Sequence, residues 1–377
     1  MRMQKIMTIF GTRPEAIKMA PVIKAIDANP DTTPIVVLTG QHKEMLQQVL
    51  DIFDIHPDAD LKVMARQQTL SQITSKVILG LDPILDEHRP DLVLVHGDTT
   101  TTMAAGLSAF YHQIPVGHVE AGLRTWDKYS PYPEEMNRML TDDIADLYFA
   151  PTQLSKDNLL QEHHPESRIF ITGNTAIDAL KYTVHADYHH PVLEAIPQGH
   201  KFILLTMHRR ENQGQAMRNT FMAIRNVVLA TPDLDVIYPV HLSPRVQQVA
   251  HEIFDDVEGV HLIEPLDVTD FHGLASQSYF IMTDSGGVQE EAPSLNKPVL
   301  VLRDSTERPE GVTAGTLKVI GTETEAVSNA MTELLNDQRE YRAMSTAVNP
   351  YGDGHAAERI VAICRDYISG KLRHPGM

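Results

Sequence analysis

Short apolar runs alternate with longer stretches of helical period along the whole chain. Strand-like runs occupy 6–10, 34–39, 92–96, 115–119, 146–150 and 169–172 in the first half. In the second half they occupy 202–206, 235–240, 260–263, 279–283, 298–302 and 317–320. Most are continuous rather than alternating, as in Phe202-Ile203-Leu204-Leu205. Continuous runs suit strands covered on both faces, the condition of a parallel sheet. Helical patterns fill the gaps at 14–28, 43–53, 70–87, 100–111, 134–143, 153–163, 213–230, 245–254, 286–295, 323–336 and 355–369. This alternation predicts an α/β architecture with parallel sheets. Twelve strands are unusual for one open sheet, so two sheets of about six are expected.

The pattern breaks at 184–200, where prolines, a glycine and histidines precede the fresh strand at 202–206. That stretch reads as a linker, and His189-His190 within it as solvated side chains. A second crossing near Asn349–Gly354 lets the last helix return to the first half. The expected domains are therefore 1–184 with 355–377, and 185–354.

Composition narrows the partners. The 377 residues carry 32 basic and 50 acidic side chains, a net charge of −18. Nucleic acid and anionic membranes demand clustered Lys and Arg, and no such cluster exists, so neither is an expected partner. An anionic substrate needs a local cationic pocket within the acidic shell. The apolar run at the N-terminus is too short for a signal or a membrane span, and no later run reaches about 18 residues. A cytoplasmic location is expected. Cys364 is the one cysteine; with no partner and no CxxC pattern it reads as a buried apolar side chain.

In open α/β sheets, ligands sit beyond the carboxyl ends of the strands, and the chemically distinctive residues fall there. The first strand runs into Gly11-Thr12-Arg13-Pro14-Glu15, with Lys18 one turn on: a turn glycine, a proline suited to a helix start, and two cations near a helix N-terminus. GxGxxG is absent, so a standard dinucleotide fingerprint fails. The strand at 92–96 leads to Asp98, whose position suits either a helix N-cap or a functional carboxylate. The strand at 115–119 ends in Glu120, and Glu134 starts a helix, where an acidic residue suits the dipole. Three carboxylates at element ends of one domain can shift one another's proton affinity and do acid–base work.

In the second half, His208-Arg209-Arg210 follows one strand and His241 another. The strongest local signal is Asp284-Ser285-Gly286-Gly287-Val288-Gln289-Glu290-Glu291, entered by a strand and left by a helix. Two glycines let backbone N–H groups approach a phosphate, Ser285 can cap the helix, and Glu291 is within reach of ribose hydroxyls. Arg303, Arg308 and Glu310 follow and extend a phosphate clamp. No HExxH motif occurs, and neither metal nor cofactor is expected. A diphosphate must then be neutralised by Arg, His and N–H groups.

These motifs, read in order, resemble a known family. GTRPEAIKMAP at 11–21, TGQH at 39–42, HGDTTT at 96–101, HVEAGLRT at 118–125, SPYPEEMNR at 130–138, GNTAID at 173–178, HRREN at 208–212 and DSGGVQEEAPSLNKPVLVLRDSTERPE at 284–310 are similar to the non-hydrolysing bacterial UDP-N-acetylglucosamine 2-epimerases. The resemblance implies a GT-B-type fold, two Rossmann-like domains with parallel sheets facing across a cleft that holds the active site. It implies reversible conversion of UDP-GlcNAc to UDP-ManNAc in a homodimer. It assigns catalysis to Asp98, Glu120, Glu134 and His208, and UDP binding to Arg13, Lys18, Phe271, Ser285, Gly286, Gly287, Glu291 and Arg308. An allosteric site for a second UDP-GlcNAc corresponds to Gln41, Glu44, Gln67, Arg209, Glu211 and His241. Glu44 and Gln67 depart from the family pattern, which has glutamine and arginine there, with Arg66 one position away; weaker allostery is expected. The rival readings are a hydrolysing epimerase, a GT-B glycosyltransferase and a non-catalytic UDP-sugar sensor.

Overall fold

A computed structural model describes residues 2–40, 43–65 and 67–372; the side chains of residues 43–45 are excluded. The chain divides into two compact units, Met1–Lys181 with Tyr351–Met377, and Tyr182–Pro350.

Unit 1 holds a seven-stranded sheet: β1 (Gln4–Phe10), β2 (Thr32–Leu38), β3 (Ala59–Asp60), β4 (Leu92–His96), β5 (Val116–Val119), β6 (Leu147–Ala150) and β7 (Ile169–Ile171). The strand order is β3-β2-β1-β4-β5-β6-β7, and every pairing is parallel. The continuous apolar runs have the expected cause. Ile6 and Phe10 pack into one core with Met19, Leu92 and Phe149, whereas Met7 and Ile9 pack into another with Val77, Val93 and Tyr148. Both faces of β1 are covered, so alternation has nothing polar to show.

The last helix, Ala356–Ile368, belongs to unit 1. It packs against the helix Arg13–Asp27 and buries Ala357, Ile360, Val361 and Cys364. Burial also pushes the Cys364 thiol up, so it is an inert apolar group. Asp178 caps this helix from a distance, accepting from Ala356 N at 3.2 Å and Ala357 N at 2.9 Å. A carboxylate that satisfies otherwise orphaned N–H groups fixes where a returning helix docks.

Unit 2 holds six strands: β8 (Lys201–Thr206), β9 (Leu234–Pro239), β10 (Val260–Ile263), β11 (Phe280–Thr283), β12 (Val299–Val301) and β13 (Leu317–Val319). Their order is β10-β9-β8-β11-β12-β13, again parallel throughout. Both units thus have the Rossmann order 3-2-1-4-5-6, with one strand added in unit 1. The order reverses between β1 and β4, and between β8 and β11. These are the switch points where loops diverge and a crevice opens.

The structure corrects the sequence reading in several places. β3 is only two residues long and carries no periodicity. Helices at Pro191–Glu194, Val268–Gln277, Pro309–Ala314 and Gln338–Ser345 are not among the expected ones. The stretch 184–200 is no free linker. Val192 is buried, Tyr188, Leu193 and Ile196 pack on the same core of unit 2, and His190 caps the helix Pro191–Glu194. The segment expected at 286–295 is a short α-helix, Gly286–Glu291, followed by a 3-10 turn, Ala292–Leu295.

Candidate functional site

In unit 1 the loops after β1 and β4 are tied together by Glu15. This buried carboxylate accepts from Gly11 N at 3.0 Å and Thr12 N at 2.7 Å on one side of the switch point. On the other it accepts from Thr99 Oγ1 at 2.7 Å and Thr102 Oγ1 at 3.0 Å. Glu15 also completes a capping box with Thr12. Gly11 is needed for closeness rather than for a turn: a Cβ there would lie 2.1 Å from Thr39 Oγ1.

Glu120 lies just beyond β5 with φ +67°. A non-glycine residue in the left-handed region costs about 1–2 kcal/mol and persists where the surroundings impose it. The surroundings here are polar. Lys18 Nζ forms an ion pair with Glu120, and Asn174 Nδ2 donates to it at 3.1 Å. His96 Nε2 stands 3.7 Å from its other oxygen. His96 is buried and neither ring nitrogen has a hydrogen-bond partner among the described residues. Burial pushes its pKa down to about 4; Glu120 opposes this, while Lys18 and His118 add to it. A neutral imidazole therefore faces Glu120 at neutral pH.

Asp98 is not the helix cap. Thr99 fills that role, and Asp98 pairs instead with Arg138 while its carbonyl accepts from Asn137 Nδ2 at 2.9 Å. Both partners come from the helix Glu134–Ile144, whose first residue is Glu134. The Glu134 side chain is half-buried and makes no hydrogen bond or ion pair among the described residues. Because β4 and β5 pair with His96 opposite Val119, Asp98 and Glu120 leave neighbouring strands side by side. Arg13 is half-buried and unpaired among the described residues, a cation available to an anion.

Beneath these loops lies a buried charge network. His118 bonds Asp142 through Nδ1 at 2.6 Å and the Gly97 carbonyl through Nε2 at 2.8 Å. Arg124 bonds the same Asp142 at 2.6 Å and also pairs with Glu162. Burial opposes the charge on Asp142, yet His118 and Arg124 hold its carboxyl below the usual range. The network fixes Gly97, and through it the approach to Asp98.

In unit 2 the same task falls to Asp284. Its Oδ2 accepts from His208 N at 3.0 Å, Arg209 N at 2.9 Å and Asn212 Nδ2 at 3.0 Å. The end of β11 thereby holds the loop after β8. Ser285 stands at the cap position of Gly286–Glu291, but its hydroxyl makes no capping bond, contrary to expectation. Gly286 and Gly287 both lie outside the left-handed region. A Cβ on Gly286 would meet nothing closer than Arg308 Nη2 at 3.6 Å and Arg209 Nη2 at 3.8 Å. A Cβ on Gly287 would meet only Glu291 Oε1, at 4.0 Å. Neither glycine is demanded by the backbone or by packing. What they provide is open space beneath two guanidinium groups at exposed N–H donors, a cradle shaped for phosphate.

Arg308 also pairs with Glu290, which orients it. Arg303 is not part of the clamp: it is buried, bonds Glu307 at 2.6 and 3.0 Å, and pairs with Glu211 at 3.0 Å. Phe271 is half-buried beside the cradle's core and meets His272 edge-on at 6.0 Å. His208 is stacked on His241, ring centres 5.4 Å apart, with Nδ1 3.5 Å from Asp284 Oδ1. Burial holds the His208 pKa below its ordinary value; Asp284 opposes this, and His241 and Arg209 reinforce it.

Of the expected allosteric residues, Arg209, Glu211 and His241 cluster here, with Arg209 3.8 Å from Glu211. Gln67 is exposed in unit 1. Gln41, the Glu44 side chain and Arg66 lie outside the described residues. Among the described residues no His, Cys, Asp and Glu cluster could hold a metal ion, and no helix is long and apolar enough to cross a membrane. Glu15, His96, His118, Asp142, Asn174 and Asp284 escaped the sequence reading as working residues. All are buried or strand-end partners whose role depends on who stands opposite.

Two Rossmann-type units, one lined with carboxylates and one with an anion cradle, define a GT-B-type nucleotide-sugar enzyme. A glycosyltransferase of Rickettsia africae shares this fold at a TM-score of 0.64 and 14% identity, covering 98% of this chain and 99% of its own. Residues 24–365 match the family model described as UDP-N-acetylglucosamine 2-epimerase. The UDP-N-acetylglucosamine 2-epimerase of Bacillus subtilis is 59% identical over 361 residues, covering 96% of this chain and 95% of its own. The UDP-GlcNAc 2-epimerase of Neisseria meningitidis, solved bound to UDP-GlcNAc, aligns at a TM-score of 0.86 and 47% identity over 96% of this chain and 100% of its own. The chain belongs to the UDP-N-acetylglucosamine 2-epimerase family and is an enzyme of that family.

Proposed function

We propose that the enzyme is a non-hydrolysing epimerase that interconverts UDP-GlcNAc and UDP-ManNAc through 2-acetamidoglucal. What supports this reading is that the chain holds both a glycine cradle, in unit 2, and a set of buried or half-buried carboxylates, in unit 1. The C2 proton of the sugar has no adjacent carbonyl and is not acidic. If the C1–O bond breaks first, its electron pair leaves with UDP, and the cationic C1 acidifies C2–H. A carboxylate removes that proton and the C1=C2 double bond forms. In the return step a proton is added to the opposite face of C2, and a phosphate oxygen of UDP re-forms the bond to C1.

The two faces of C2 call for two groups in opposite protonation states, which crowded but differently partnered carboxylates can supply. Asp98, Glu120 and Glu134 are the candidates, and His208 assists at the leaving group. Arg13, Lys18 and Arg308, with the N–H groups of Gly286 and Gly287, stabilise the departing diphosphate by fixed electrostatics. Ser285 and Glu291 complete the nucleotide site, and Phe271 lies toward the base. Dimer assembly, a cytoplasmic location and a weakened activator site at Arg209, Glu211, His241 and Gln67 belong to the same reading.

The test is incubation with UDP-GlcNAc in D2O, followed by proton NMR. Deuterium at C2 together with UDP-ManNAc is the expected result. Free ManNAc with equimolar UDP would mean a hydrolysing enzyme. No exchange without an added acceptor would overturn the proposal in favour of a transferase or a sensor.

A further inference from the structure

His272 is 2% exposed within the helix Val268–Gln277. Its Nδ1 lies 2.7 Å from Thr183 Oγ1, and its Nε2 lies 3.2 Å from Glu291 Oε2. The helix that carries it is itself pinned. The Tyr188 hydroxyl donates to Asp270 Oδ1 at 2.9 Å, and the Tyr188 ring packs so closely on Gly273 that a Cβ there would lie 2.5 Å from it. Glu291 is therefore not a loose side chain on a helix end. One carboxylate oxygen is held by a buried imidazole. The other, Oε1, makes no hydrogen bond among the described residues and faces Gly287, inside the cradle.

We propose that His272 is a positioning residue that fixes Glu291 for the ribose hydroxyls of the bound nucleotide. This rests on the UDP reading of the cradle and adds a specificity element to it: discrimination of ribonucleotides from nucleotides lacking the ribose hydroxyls. A carboxylate that accepts from vicinal hydroxyls loses most of its worth if it must first be ordered from several rotamers. A buried imidazole with both nitrogens engaged performs that ordering before the ligand arrives.

Calorimetric titration with UDP and with 2′,3′-dideoxy-UDP tests this on the full chain. The wild type is expected to prefer UDP by at least about tenfold. His272→Asn, too short to reach Glu291, should weaken UDP binding by about tenfold and leave dideoxy-UDP within twofold. His272→Gln, whose amide nitrogen reaches the place of Nε2, should restore most of the loss. In turnover the Asn variant should raise KM with kcat within about twofold, the pattern of lost ground-state binding. Thr183→Val, which removes the hydroxyl at Nδ1 and leaves the imidazole, should shift UDP affinity in the same direction by about threefold, and keeps the test available if the Asn variant does not fold. Equal losses for both nucleotides, or unchanged UDP affinity in folded His272→Asn, would overturn the role of His272. A wild type that binds no UDP would sink the cradle reading itself.

Discussion

The two switch points solve one structural problem and differ in what they leave over. Glu15 in unit 1 and Asp284 in unit 2 each tie the loop after the first strand to the loop after the fourth. Above Glu15 two of the three candidate carboxylates are matched by cations: Lys18 sits on Glu120, and Arg138 on Asp98. Above Asp284 the architecture keeps room, with two glycines whose missing side chains would touch nothing but arginines and a glutamate. The difference fits the proposed division of work, in which the first site moves protons and the second receives charge. A proton-transfer site needs carboxylates in defined, unequal surroundings, whereas a phosphate site needs donors and empty space.

The largest effect should break the first half of that contrast. Glu120→Gln keeps the side-chain volume but cannot take a proton, and should lower kcat by about 10²–10⁴-fold. UDP affinity by calorimetry should stay within about threefold. A comparable collapse of UDP binding would show that the two sites do not divide the work as stated.

The second half is sharpened by Gly286→Ala. The new methyl enters the space under Arg308 and Arg209. UDP affinity should fall by about tenfold or more, while the unfolding free energy stays level or rises by about 0.4–1 kcal/mol, because alanine restricts the unfolded chain at a position whose backbone it accepts. Loss of stability with unchanged UDP affinity would mean that the glycine serves packing after all.

The smallest effect concerns His208. Its folded pKa lies below that of the free side chain, first because it is buried, and further because His241 and Arg209 lie close. The imidazole is thus neutral in both folded and unfolded chains well above pH 6.5. As pH falls, the unfolded chain takes the proton first, so any stability contribution is lost on the acid side. The acid limb of kcat/KM should lie below pH 6.5. His241→Asn removes one of the depressing charges and should move that limb upward, toward 6.5. A limb that moves down would refute the coupling between the stacked rings.

Much of the fold was legible because a parallel sheet covered on both faces writes itself as continuous apolar runs. Ile6, Met7 and Ile9 show it: neighbours along the strand, they serve opposite cores. β3 and the helix Gln338–Ser345 were not legible, the first too short for any period, the second too polar. The tract 184–200 misled for a different reason. Proline and histidine lower local regularity, yet Val192 and Tyr188 still find a core to enter. At the candidate site, motif and strand-end position singled out Glu120, His208 and the Ser285–Gly287 turn. The cap alternative for Asp98 falls to Thr99: Asp and Thr at adjacent positions both suit that role, but Thr99 accepts the capping bond while Asp98 pairs with Arg138 from another helix.

The sequence by itself determined the α/β class, the parallel sheets and the set of strand ends at which chemistry collects, because periodicity and turn residues are local properties. Tertiary structure alone decided the state of each group there. His96 is held neutral, Arg303 is spent on Glu307 and Glu211, Glu291 meets the buried His272, and Gly286 stands over open space. Burial and partnership depend on residues far apart in the chain. A side chain's charge and freedom are set by what surrounds it in space, and no local pattern records that.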